Sequence, residues 1–80
     1  MISEVQAEIL AKVEELSQQH DIDLDENLFE VGILTSIHVV DLITFIEGRY
    51  EVLVPVDQLS VDNFYSVNAM AAFTQSILEA

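Results

Sequence analysis

Each segment in which apolar residues recur at helical spacing begins with a serine, a residue that often caps helices. A capping residue followed by helical spacing predicts a helical fold. The first segment begins with Ser3-Glu4-Val5-Gln6, which is typical of a capping box in which Gln6 reaches back to the cap. The apolar residues around it predict an amphipathic helix over residues 4 to about 18, namely Ile2, Val5, Ile9, Val13 and Leu16. The sequence shows no strand-like alternation and no internal repeat. We therefore expect an all-α protein.

Three further serines mark the remaining helices. A second helix is expected to begin at Ser36 and to end near residues 48–50, and Val54-Pro55 then predicts an extended connector, because proline disfavours helix in the residue before it. Ser60 is placed to cap a short turn over residues 61–64, and Ser66 to cap a last helix. The inner side of that helix holds Val67, Met70, Phe73 and Ile77. The prediction is one domain over residues 1–80, a small four-helix bundle with three longer helices and one short helix.

The segment over residues 18–35 is long for a connection between helices. Its apolar residues predict a loop that packs onto the domain, namely Ile22, Leu24, Leu28 and Phe29. The acidic run Asp21-Ile22-Asp23-Leu24-Asp25 begins like a calcium-binding loop. Such a loop requires glycine at its sixth position and glutamate at its twelfth, where this chain has Glu26 and Gly32. We interpret the run as a solvated acidic loop.

The charge balance restricts the partners. The chain has 15 acidic and 2 basic residues, a formal net charge of −13, which disfavours nucleic acids and anionic membranes and favours a partner with a basic patch. It has no cysteine, and its two histidines, His20 and His38, lie far apart in the sequence, so we expect no metal site. Glu4 and Glu8 make the first turns unlike a signal peptide, and no apolar run is long enough to span a membrane. We expect a monomeric, cytoplasmic protein.

The second helix has two different faces when its residues are placed at about 100° intervals. One side, expected to face the core, holds Val39, Leu42, Ile43, Ile46 and Tyr50. The other holds Ser36, Ile37, Val40, Asp41, Thr44, Glu47 and Glu51. An apolar centre inside a charged rim is typical of a docking surface, although scattered exposed apolar residues are also common on solvated faces. We predict that a partner binds Ile37, Val40, Asp41, Thr44 and Glu47.

Ser36 follows the turn Gly32-Ile33-Leu34-Thr35, at the point where a loop becomes a helix. A serine there is either an N-cap, which accepts a hydrogen bond from the first turn, or a modification site. A phosphate on its hydroxyl would lie at the positive end of the helix dipole. Thr35 is the rival hydroxyl, but it is β-branched and lies one residue earlier. His38 lies two residues from Ser36 and so turns to another side of the helix, and we expect no catalysis by this chain.

Taken together, these features resemble the acyl carrier and peptidyl carrier proteins over essentially the whole chain. The shared pattern is the helix order, the long first loop, and a serine at the start of the second helix followed by an apolar residue and an acidic face. The spacing from Gly32 to Ser36 and the segment Ile46-Glu47-Gly48-Arg49-Tyr50-Glu51-Val52-Leu53-Val54-Pro55 are similar to those of D-alanyl carriers and other free-standing aminoacyl carriers. The family usually has aspartate before the modified serine, where this chain has Thr35. We interpret these departures, namely Thr35, His38, Gly48 and Arg49, as the sign that this chain binds a different partner.

The resemblance implies that Ser36 carries covalent 4′-phosphopantetheine, which holds an acyl or aminoacyl group as a thioester. It implies three kinds of partner: a phosphopantetheinyl transferase, an adenylating enzyme, and an acyltransferase or condensing enzyme with a basic docking surface. The function we expect is a discrete carrier in a polyketide or nonribosomal-peptide type of pathway, such as antibiotic biosynthesis. One alternative is a D-alanyl carrier for the modification of cell-wall polymers. An alternative of another class is an acidic interaction module that is never modified.

Overall fold

The computed structural model describes residues 2–79, which form four α-helices. They are α1 (Glu4–Ser17), α2 (Ser36–Tyr50), α3 (Val61–Phe64) and α4 (Val67–Leu78), and a 3-10 turn (Val56–Gln58) precedes α3. The predicted helical bundle, with three longer helices and one short helix, is confirmed. Within residues 2–79 there is no strand, and no helix has the length and apolar content to cross a bilayer.

The serine caps predicted for α1 and α4 are present. Ser3 Oγ accepts from the Gln6 N–H at 3.1 Å, and Gln6 Oε1 accepts from the Ser3 N–H at 2.7 Å. Ser66 is buried, and its Oγ accepts from the Ala69 N–H at 3.0 Å. At its other end α1 stops after Ser17, because Gln18 has a φ of 58° and forms a left-handed C-cap. Local contacts thus set both ends of α1 and the start of α4.

The core takes side chains from all four helices and from the first loop. Its fully or almost fully buried members include Ile9, Val13, Leu28, Leu42, Ile46, Phe64, Val67 and Met70. The rings of Phe64 and Phe73 pack with their centroids 5.4 Å apart, which fastens the short α3 onto α4. Burial of each large apolar side chain contributes about 1.5–3 kcal/mol, so the core rather than helix propensity holds the short helix in place.

The first loop packs onto the helices, as predicted. Leu28 is completely buried, and its N–H donates to the Tyr65 carbonyl at 2.7 Å, just after α3. The Leu28 carbonyl accepts from the N–H groups of Ile33 at 2.9 Å and Leu34 at 3.0 Å. One buried residue therefore joins the loop to the end of α3 and closes the turn that leads into α2.

The predicted core face of α2 packs against the core and also borders a groove. Leu42 and Ile46 are completely buried, whereas Val39 and Ile43 are only half-buried. Val39 and Ile43 pack against the core on one side and line an open groove between α2 and α3 on the other. The side of α2 that was expected to face the core therefore does so, and it also forms one wall of this groove.

A polar cluster joins α1 to the end of α2. Arg49 Nε donates to Glu8 Oε2 at 3.0 Å, and the Tyr50 hydroxyl donates to Glu8 Oε1 at 2.6 Å. The hydrogen bonds from Tyr50 and Arg49 lower the pKa of Glu8, while partial burial and the bond to Glu8 raise the pKa of Tyr50. Tyr50, expected on the core side, is therefore half-buried with its hydroxyl held by α1.

The two glycines predict opposite effects of substitution. Gly32 has a φ of +80° in the turn before α2, whereas Gly48 lies inside α2, and an added Cβ at either position meets nothing within 4 Å. Backbone conformation alone therefore decides whether each substitution raises or lowers the free energy of unfolding. Gly32→Ala should lower the free energy of unfolding by about 1–2 kcal/mol, and Gly48→Ala should raise it by about 0.5–1 kcal/mol. Urea unfolding of both variants tests this, and effects of the same sign would show that one of these conformations is wrong.

Candidate functional site

Ser36 is the first residue of α2, and its side chain is exposed. The N-cap is Thr35, whose backbone is extended, with φ −123° and ψ 174°, and whose carbonyl accepts from the Val39 N–H at 3.3 Å. Within residues 2–79 no hydrogen-bond partner is found for the Ser36 hydroxyl. The sequence allowed Ser36 two roles, an N-cap or a modification site. Because Thr35 is the N-cap of α2, Ser36 does not have the capping role.

The turn before α2 holds Ser36 in a defined place. Gly32 adopts its left-handed conformation there, and its N–H donates to the Phe29 carbonyl at 3.1 Å. Leu34 follows with only 2% of its surface exposed, which anchors the chain two residues before Ser36. The glycine reverses the chain, Leu34 fixes it to the core, and α2 begins immediately afterwards.

The surroundings of Ser36 suit a phosphodiester. The free N–H groups of the first turn and the helix dipole stabilise an anion at this end of a helix. The first turn of α2 contains no acidic residue, although the chain as a whole is strongly acidic. A phosphate attached to Ser36 Oγ would therefore meet no like charge from the turn that carries it.

An apolar groove of about 520 Å³ opens beside Ser36, between the first loop, α2 and α3. It is lined by Phe29, Ser36, Val39, Val40, Ile43, Leu59, Ser60, Val61 and Phe64. Its rim includes Val40 and Val61, which are 62% and 61% exposed. A flexible arm that begins at Ser36 has room to lie along this groove.

The predicted docking face is exposed on the same side of α2. Ile37 is 75% exposed and Val40 62% exposed, and these two large apolar side chains lie one turn apart. Asp41 and Thr44 are also exposed, and the Thr44 hydroxyl donates to the Val40 carbonyl at 3.0 Å. The structure thus brings these four residues onto one surface with Ser36.

Glu47 is placed differently from these four. It is half-buried, and its Oε2 accepts from the Val54 N–H at 2.8 Å, which holds the connector against the end of α2. This contact exists because Glu51, with a φ of 55°, ends the helix and turns the chain back. The carboxylate predicted to bind a partner is occupied within the chain.

His38 has a role that the sequence analysis missed. The Thr35 N–H donates to His38 Nδ1 at 3.0 Å, and Thr35 Oγ1 lies 3.3 Å from the same nitrogen. Thr35-x-x-His38 has the spacing of a capping box, in which the third helical residue accepts from the cap. The spacing indicates this contact from the sequence alone, but a capping box usually has glutamate or glutamine at the third helical position.

The acidic loop is held by one of its own side chains and by one side chain of α4. Asp23 Oδ1 accepts from the Asp25 N–H at 2.8 Å, and Asn68 Nδ2 donates to Asp25 Oδ1 at 2.6 Å. Within the part of the chain described here, no group of three or more His, Cys, Asp or Glu side chains could hold a metal ion. His20 is exposed at the start of this loop.

Comparison with known proteins assigns the family. The family model described as "Phosphopantetheine attachment site" matches residues 7–74. D-alanyl carrier proteins of Streptococcus sanguinis, Streptococcus gordonii and Streptococcus thermophilus are each 35% identical over 66 residues, which cover 81% of this chain and 84% of theirs. The chain belongs to the phosphopantetheine-binding carrier proteins, and its cofactor is covalently attached 4′-phosphopantetheine. Within that family it is similar to the D-alanyl carriers, as the sequence predicted.

Proposed function

We propose that phosphopantetheine is attached to Ser36 Oγ and that this carrier holds an amino acid, D-alanine, for transfer between partner enzymes. The observation that supports this most directly is the exposed Ser36 hydroxyl at the first position of α2, while Thr35 occupies the cap. The match to the family over residues 7–74 includes this position.

The chain's own residues prepare the site for the arm. When bound, phosphopantetheine supplies a thiol, which a chain without cysteine lacks, and holds its cargo as a thioester. Ser36 supplies the oxygen of the phosphodiester, and the start of α2 stabilises the negative charge. Val39, Val40 and Val61 line the groove that shields the arm. We propose that the chain catalyses no step and that its partners carry out loading and transfer.

The relatives favour D-alanine as the cargo. Three relatives of equal identity are named D-alanyl carrier proteins. They give no support to the polyketide, nonribosomal-peptide or antibiotic pathway that the sequence analysis placed first, and they favour its D-alanyl alternative. Because the family is defined by phosphopantetheine attachment, the unmodified interaction module loses its basis as well.

The partners in this proposal are a phosphopantetheinyl transferase, an adenylating enzyme, and an acyltransferase with a basic docking surface that receives the cargo. Ile37 and Val40 form the apolar centre of the contact, with Asp41 and Thr44 at its rim. Both basic residues lie elsewhere in contacts with acids of α1, Lys12 with Glu15 and Arg49 with Glu8. Asp41, exposed on the docking face, is thus left to attract a basic partner.

The attachment residue is tested by intact mass after incubation with coenzyme A and a broad-specificity phosphopantetheinyl transferase. We predict that the parent protein gains one phosphopantetheine and that Ser36→Ala gains none. Ser60→Ala is the matched control, because Ser60 lines the same groove and precedes α3, and it should be modified like the parent. A gain in Ser36→Ala, or none in the parent, would contradict the proposed attachment residue.

The cargo is tested on the same modified protein. A ligase that adenylates D-alanine should add one alanyl group to the modified parent and none to the unmodified protein. Ligases that activate other acids serve as the comparison. If only those ligases load the protein, D-alanine is wrong as the cargo while Ser36 stands as the attachment residue.

The docking face is tested by reversing one charge. Asp41→Lys should slow loading by the adenylating enzyme by about tenfold at low salt, with a smaller effect at high salt, because steering by charge is screened. Glu14→Lys, on α1, makes the same change in net charge outside the docking face. Circular dichroism establishes that both variants are folded. Equal loading rates for the two variants would show that the site of the charge does not matter.

A further inference from the structure

His38 makes a contact that closes the chain around Ser36. Its Nδ1 accepts from the Thr35 N–H at 3.0 Å and lies 3.3 Å from Thr35 Oγ1. The contact therefore spans Ser36 and Ile37, the first two residues of α2. It belongs neither to the core nor to the predicted docking face, and the attachment chemistry makes no direct use of it.

Thr35 is the one exposed residue between two fixed parts of the chain. On one side Leu34 is buried and its N–H donates to the Leu28 carbonyl at 3.0 Å. On the other side α2 begins, and its first backbone bond, from the Val39 N–H to the Thr35 carbonyl, is 3.3 Å long. The contact of the Thr35 N–H with His38 Nδ1, at 3.0 Å, is a second restraint that ties the cap to the first turn.

The ends of helices fray unless a cap holds them. If the first turn of α2 opens, Ser36 leaves the helix, and its hydroxyl loses a fixed direction and the stabilising helix dipole. We infer that His38 is a positioning residue for the modification of Ser36: its Nδ1 holds the Thr35 N–H and keeps Ser36 in the first helical turn. This inference rests on the proposed attachment of phosphopantetheine to Ser36.

The consequence for kinetics follows from the population of the competent conformation. Consider a transferase that binds this carrier only when the first turn of α2 is formed. Its apparent affinity for the carrier falls when the turn is formed for only part of the time. Loss of the cap should therefore raise the KM for the carrier and leave kcat nearly unchanged. A residue that contacted the reacting atoms would instead lower kcat.

Two substitutions of His38 separate its role as an acceptor from its shape. His38→Gln keeps an acceptor at the position where capping boxes use glutamine, and His38→Leu removes the acceptor with similar bulk and good helix propensity. With coenzyme A and the transferase, His38→Leu should show a KM about two- to threefold higher, because losing one cap leaves the turn formed for only part of the time. His38→Gln should keep the KM of the parent.

Amide hydrogen exchange tests the contact in the unaltered protein. The Thr35 amide should exchange about tenfold more slowly than the Ile37 amide, because amides in a first helical turn lack a partner within the helix. Exchange at equal rates would overturn the contact itself. This measurement depends neither on a substitution nor on a transferase.

The outcomes distinguish this inference from the proposed function. If the parent is modified on Ser36 and His38→Leu has the parental KM, His38 does not position the serine. If His38→Gln is as impaired as His38→Leu, the imidazole acts by another means and the inference is wrong. If the parent is not modified at all, the proposed function fails, and exchange at the Thr35 amide still decides whether the cap exists.

Discussion

Leu28 lies completely buried in the first loop, and the place of Ser36 depends on the hydrogen bonds of its backbone. Its N–H donates to the Tyr65 carbonyl, and its own carbonyl accepts from Ile33 and Leu34. A buried peptide group without hydrogen-bond partners costs free energy. The Leu28 side chain can therefore be buried only if the turn closes and supplies those partners, and the closed turn also keeps Leu28 in the core. A loop that is long by sequence is thereby tied to the end of α3, and α2 begins at a fixed point directly after it.

From that fixed point the features of a carrier follow in order. The start of α2 offers an exposed hydroxyl and a favourable place for a phosphodiester, and the groove between α2 and α3 offers apolar shelter beside it. In the function we propose, Ile37 and Val40, which are exposed a short distance away, form the apolar contact for a partner. A cargo tethered to Ser36 would then reach each docked enzyme at a high effective concentration, because the arm and the docking face would share one side of the molecule.

The helices could be predicted from the sequence because their signals are local. The Ser3 and Ser66 caps bond to residues only three positions away, and apolar spacing marks the buried side of each helix. Contacts across a chain reversal could not be predicted in this way: Glu47 looked free for a partner until the turn at residue 51 brought the Val54 N–H onto it. The groove was not foreseen either, because its shape depends on where the four-residue α3 packs rather than on its sequence. The helical wheel therefore placed Val39 and Ile43 on the core side but gave no sign that they also line the groove.

The most direct test of the account is to locate the added group by fragmenting the phosphopantetheinylated parent protein in a mass spectrometer. Fragment ions produced by cleavage between Thr35 and Ser36 show which of the two neighbouring hydroxyls carries the group, without any substitution. The account predicts that the added mass begins with fragments that contain Ser36 and is missing from those that end at Thr35. Added mass on Thr35, or on a serine elsewhere in the chain, would contradict the claim that the start of α2 presents Ser36 for attachment.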